Sequence, residues 1–173
     1  MEDRKVYTQT LQEFNSEEIG RNLKSARMAC KLSALEVESK TGIARQTIWK
    51  YEHGRLPRFD VLVCLSYLYQ TPISKILEMR PKVEEEIVEK FKNAKSFGVG
   101  LREIRLAKGF SVSEVAQLIG VARQGYYLYE SDDIYAFSLD RVVKLSEIFG
   151  ISWDTIAIKL AQSHGLQIPQ KTN

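Results

Sequence analysis

The sequence predicts an all-α protein built from two five-helix domains, and three observations lead there. The first is an internal repeat: residues 19–52 laid over residues 97–130 give thirteen identical pairs among 34 positions, where composition alone gives about two. Gly20/Gly98, Leu23/Leu101, Arg27/Arg105, Gly42/Gly120, Arg45/Arg123, Gln46/Gln124 and Glu52/Glu130 are among them. The second is paired punctuation, since Ser33-x-x-Glu36 and Ser111-x-x-Glu114 both have the capping-box pattern that opens a helix. The third is periodicity. Apolar residues recur at helical spacing and no stretch alternates as a strand does.

The elements follow in order. Ile19, Leu23 and Ala26 in the first copy, and Leu101 and Ile104 in the second, mark first helices over 17–29 and 97–108. The capping boxes open short second helices, which Gly42 and Gly120 end, because glycine adopts the left-handed C-cap at little cost. Third helices run from about Arg45 to Glu52 and from Arg123 to Glu130. After Glu52 the offset grows from 78 to 80, matching Asp60/Asp140, Leu65/Leu145 and Ser66/Ser146, so the second copy has two extra loop residues. Fourth helices are expected over 59–69 and 138–149, and Pro72 and Ser152 open fifth ones. Between the copies, 82–95 reads as a further helix with Val83, Ile87, Val88 and Phe91 as its apolar stripe, suited to packing on a domain or on a second copy of itself. The expected organisation is an N-terminal arm (1–15), a first domain (16–79), a helical linker (80–96), a second domain (97–164) and a flexible tail (165–173).

Composition narrows the function. The chain has 173 residues, 25 Lys plus Arg against 22 Asp plus Glu, and 44% hydrophobic residues, as in ordinary globular proteins. No apolar run is long enough for a membrane helix, and the polar start is unlike a signal peptide, so a cytoplasmic protein without membrane contact is expected. Cys30 and Cys64 form no CxxC and His53 and His164 stand in no ligand spacing, so neither a disulfide framework nor a metal site is expected, and no cofactor is implied. With no Walker loop, GxGxxG, GxSxG or HExxH present, an enzyme is not expected.

A helix, a glycine turn and a second short helix is helix-turn-helix spacing. Both copies resemble the phage-repressor (Cro/CI-like, XRE) family over 19–79 and 97–160. The resemblance rests on the helix 1 arginine, Ser-x-x-Glu-Val, Gly-[Ile/Val]-Ala-Arg-Gln across the turn, and the aromatic-Glu that closes helix 3. In the first copy His53-Gly54-Arg55-Leu56-Pro57 also fits the family's Gly-x-x-Pro loop. It implies that Arg27 with Glu52, and Arg105 with Glu130, are structural ion pairs; for Arg27 the competing reading is a phosphate contact.

If Ile48 and Tyr51 face the core, the third helix of the first copy presents Arg45, Gln46, Trp49 and Lys50 outward. Arginine pairs with guanine O6 and N7, and glutamine with adenine N6 and N7. The resemblance and this chemistry agree on Arg45, Gln46 and Lys50 as base readers, with Thr47 adding a phosphate contact or a thymine-methyl contact, and the outward Trp49 completes the expected base-reading set. The resemblance implies phosphate contacts by Arg55 and Arg58, which fall where the family meets the sugar-phosphate backbone, and Ser33 is expected to join them. Ala34 and Glu38 depart from the family, which often has Gln and Ala there, and this places one phosphate anchor in question.

The second copy differs in charge. Residues 19–79 hold ten basic and five acidic residues, and 97–160 hold seven and eight. Ser131-Asp132-Asp133 replaces the basic loop, and two carboxylates there are expected to repel phosphate. Arg123, Gln124 and Tyr127 form a possible second DNA surface, while Tyr127 with Leu128 also suits a protein contact. The expected function is a sequence-specific double-stranded DNA-binding transcriptional regulator, a repressor, acting as a homodimer on a palindromic operator. The alternatives are a DNA-binding antitoxin or regulator whose second domain binds a protein partner, and a helical protein-interaction module.

Overall fold

The computed structural model describes residues 14–78, 81–133 and 138–164, and the described residues are helical with no strands. The arm is therefore described only at Phe14 and Asn15, and the tail 165–173 lies outside the described residues. They fall into two compact units, one within 13–79 and the other within 80–165.

The first unit contains α1 (Ser16–Ala29), α2 (Ala34–Thr41), α3 (Arg45–Glu52), α4 (Phe59–Leu68) and α5 (Ile73–Leu77). Asn15 caps α1 by accepting from the Glu18 amide, and Ser33 and Glu36 form a reciprocal capping box at α2. Gly42 ends α2 in the left-handed conformation, φ 72°. Pro72 stands one residue before α5, as its N-cap. Ile19, Leu23, Val37, Ile48, Phe59, Leu62 and Ile76 meet in the core. α3 packs on α1 and α2, so its inner face is fixed from two directions.

The second unit contains α6 (Glu85–Asn93), α7 (Phe97–Ala107), α8 (Val112–Ile119), α9 (Arg123–Glu130), α10 (Leu139–Phe149) and α11 (Trp153–His164). Residues 80–96, read from the sequence as a linker, carry α6, which packs on α7 and α11 within this unit. Val88 and Phe91 are buried, Phe91 meets Phe97 edge to face at 5.9 Å, and the stripe's outer end, Val83, is exposed. The buried Lys159 ammonium on α11 donates to the carbonyls of Lys92 (2.8 Å) and Ala94, closing the C-terminus of α6. Before α6, the Glu84 amide donates to Gly150 O at 2.9 Å, and the Glu84 carboxylate pairs with Lys108 at 2.7 Å.

Gly20 and Gly98 have a shared steric reason. A Cβ on Gly20 would lie 2.8 Å from Tyr51 O, and one on Gly98 would lie 2.6 Å from Glu130 O. α1 thus touches the backbone at the end of α3, and α7 that at the end of α9. No helix among the described residues is long and apolar enough to cross a membrane, and they hold no cluster suited to a metal ion.

Candidate nucleic-acid interface

One buried side chain orients α3. Ile48 is 1% exposed and Tyr51 is half-buried, so Arg45, Gln46, Trp49 and Lys50 are left on the solvent side, with Thr47 half-buried at its edge. Trp49 follows Arg45 by four residues and Gln46 by three, the spacings that make neighbours on one helical face. The N-cap Ala44 supplies no side-chain cap at the end of the helix where Arg45 and Gln46 project.

The orientation of α3 is locked by Arg27. Its Nε donates to Glu52 Oε1 at 2.6 Å, Nη2 to Glu52 Oε2 at 2.9 Å, and Nη1 to Leu32 O at 2.8 Å. The second unit repeats this: Arg105 donates to Glu130 at 2.5 and 3.0 Å and to Phe110 O at 3.0 Å. In both units the hydrogen bond to glutamate raises the guanidinium pKa above its ordinary value, with burial opposing it. A fork with both arms on carboxylate and a third donor on a carbonyl holds geometry. These bonds use three of the five N–H donors of Arg27.

The flanking residues differ in availability. Arg55 is exposed on the loop after α3, whereas Arg58 pairs with Asp60 through bonds of 3.0 and 2.8 Å. The Ser33 hydroxyl donates to Glu36 Oε2 at 2.7 Å and accepts from the Glu36 amide at 3.2 Å. It is committed to the capping box, and a phosphate would compete with Glu36 for its proton. Trp49, 58% exposed, stacks on His53 with centroids 4.0 Å apart, and His53 Nδ1 lies 2.7 Å from Trp49 O. A carbonyl only accepts, so Nδ1–H is the donor of this bond.

In the second unit, Arg123, Gln124, Tyr127 and Leu128 are exposed on α9 around the buried Tyr126 and Tyr129. Arg123 lies over the Tyr127 ring, 5.8 Å from its centroid, with Nη2 3.3 Å from the hydroxyl. The two loop carboxylates, expected to repel phosphate, have different surroundings. Asp132 accepts from the Gly98 amide at 2.8 Å and from the Ser96 hydroxyl, so it faces the N-terminus of α7, where the helix dipole favours an anion. Asp133 alone is exposed, bound by the Ser131 hydroxyl at 2.7 Å; residues 134–137 lie outside the described residues. Asp132 stands where the first copy has Gly54, and sequence reasoning missed its role because a carboxylate in a loop has no periodicity to reveal its partner.

Residues 101–156 match the family model described as helix-turn-helix. The chain is 49% identical over 49 residues, 28% of its length and 15% of the relative's, to a protein of Thermococcus kodakarensis named as an HTH-type transcriptional regulatory protein. It is 40% identical over 58 residues, 34% of its length and 53% of the relative's, to an SPbeta prophage-derived uncharacterized HTH-type transcriptional regulator of Bacillus subtilis. The chain thus spans 15% and 53% of these two relatives. No solved structure matches it significantly. Residues 101–156 thus match a helix-turn-helix model, within a chain that is all-helical where described and similar over part of its length to HTH-type transcriptional regulators.

Proposed function

We propose that the protein is a cytoplasmic, non-enzymatic, sequence-specific regulator of transcription, a repressor, that reads the major groove of double-stranded DNA with α3 of its first unit. The observation that carries this reading is the exposed row of Arg45, Gln46, Trp49 and Lys50 on a helix whose other face is pinned by Ile48 and by the Arg27–Glu52 pair. Arg45 and Gln46 supply the donors that major-groove base edges accept, and Arg55 supplies an exposed charge for the phosphate backbone. Arg58 joins it when its bond to Asp60 yields. The names of the relatives, both transcriptional regulators, support the same reading.

A second reading applies to the second unit. Tyr127 and Leu128 are each 45% exposed, and Arg123 is engaged by Tyr127, so α9 offers an apolar face more readily than a free arginine. That face suits a protein partner. One experiment tests both readings: selection of bound fragments from a random duplex pool by the purified chain, for the wild type, Arg45→Ala and Arg123→Ala. The first reading expects a defined motif that Arg45→Ala relaxes at one base pair, and the second expects Arg123→Ala to leave the motif intact.

A further inference from the structure

Trp49 is the one residue on the exposed face of α3 whose chemistry the polar reading does not use. The face otherwise presents Arg45, Gln46 and Lys50, and an indole 58% exposed among them keeps a large apolar surface in water. Its position is fixed in advance. His53 stacks on it at 4.0 Å with an interplanar angle of 22°, and the His53 Nδ1–H bond to Trp49 O at 2.7 Å ties the imidazole to the same turn of helix. In the second unit the matching Tyr127 is held from the opposite side by Arg123, one turn earlier, at 5.8 Å. An aromatic ring already held in place loses little side-chain entropy when it makes a contact. The apolar group displayed on a base edge in the major groove is the 5-methyl of thymine.

We propose that Trp49 is a specificity-determining residue that packs against a thymine 5-methyl group, and that His53 is the positioning residue that holds the indole for it. The inference rests on the proposed reading of the major groove by α3. Arg45 and Trp49 lie four residues apart on one face, a separation of about 6 Å along the helix. The thymine therefore falls within about two base pairs of the base met by Arg45, given about 3.4 Å per step.

The test remakes duplexes selected by the full chain with deoxyuridine in place of each thymine in turn, which removes only the methyl. For the wild type, one such substitution per half-site, within about two base pairs of the position relaxed by Arg45→Ala, weakens binding about fourfold, the value of one buried methyl. Trp49→Ala binds thymine and uracil duplexes equally. His53→Ala lowers the discrimination and, without DNA, increases acrylamide quenching of tryptophan emission; Trp153, 1% exposed, contributes little to that change. His53→Phe, which restores a stacking ring, restores both readouts. Absence of any uracil effect in the wild type, or an equal effect in Trp49→Ala, overturns the proposal while Arg45→Ala still relaxes one base pair. An Arg45→Ala protein with unchanged affinity and motif overturns the α3 reading and this inference with it.

Discussion

Arg45 and Arg123 occupy matching positions in the two copies, yet their side chains have different neighbours. Both stand beside a glutamine at a helix start without a side-chain cap, but Arg123 reaches Tyr127. Arg45→Ala is expected to cost about 1 to 3 kcal/mol on the selected site and to relax one base pair. Arg123→Ala is expected to cost less, and equal losses in a titration of both variants would show that the two helices share the reading. The phosphate contacts divide in the same way. Arg55→Ala should reduce the log-log salt slope by roughly 1. Arg58→Ala should reduce it less, because Asp60 already holds the guanidinium, and Asp60→Asn should tighten binding to random and cognate DNA alike. Binding isotherms at several salt concentrations check all three, and an unchanged slope in Arg55→Ala removes that residue from the phosphate contacts. The outward row on α3 was legible in the sequence because Ile48 fixes the helix face by spacing. The Arg58–Asp60, His53–Trp49 and Asp132–Gly98 contacts were not, since loop dihedrals and side-chain rotamers decide them.

At the scale of elements, the two copies place left-handed residues at the same turns and fill them differently. Lys31 (φ 55°) and Gly109 (φ 71°) match at the turn after the first helix, and Gln70 (φ 51°) and Gly150 (φ 70°) match after the fourth. A residue with a Cβ is strained there by about 1 to 2 kcal/mol, and glycine is not. Lys31→Gly should therefore stabilise the first unit by about 1 kcal/mol in urea denaturation, net of the extra freedom of the unfolded chain. A destabilised variant would mean that Lys31 makes a contact outweighing the strain. Gly54 and Asp132 form the converse pair, φ 94° and 60°. Asp132 accepts left-handed strain and caps α7 in exchange, so Asp132→Ala should destabilise the second unit by about 1 to 2 kcal/mol. Gly20→Ala should harm both stability and DNA binding, because the added methyl meets the Tyr51 carbonyl and forces α3 away from α1.

For the whole molecule, recognition of a palindrome needs two reading heads about 34 Å apart, or a multiple of that. If only the first unit reads bases, a homodimer supplies them, and light scattering of the purified chain should give twice the mass of one chain. A monomeric mass with equal damage from Arg45→Ala and Arg123→Ala would instead assign one half-site to each unit. The sequence by itself determined the helical class, the duplication and the helix starts and stops, because capping boxes, glycine turns and apolar spacing act within a few residues of chain. It also singled out the Arg27–Glu52 and Arg105–Glu130 pairs, through the repeat and the family resemblance. Only the tertiary structure decided that α6 belongs to the second unit, where Lys159 closes its end, and that Asp132 faces a helix start. Those contacts join residues 34 to 67 positions apart. A local pattern specifies which face of an element is apolar, but the partner it meets is fixed only when the elements pack.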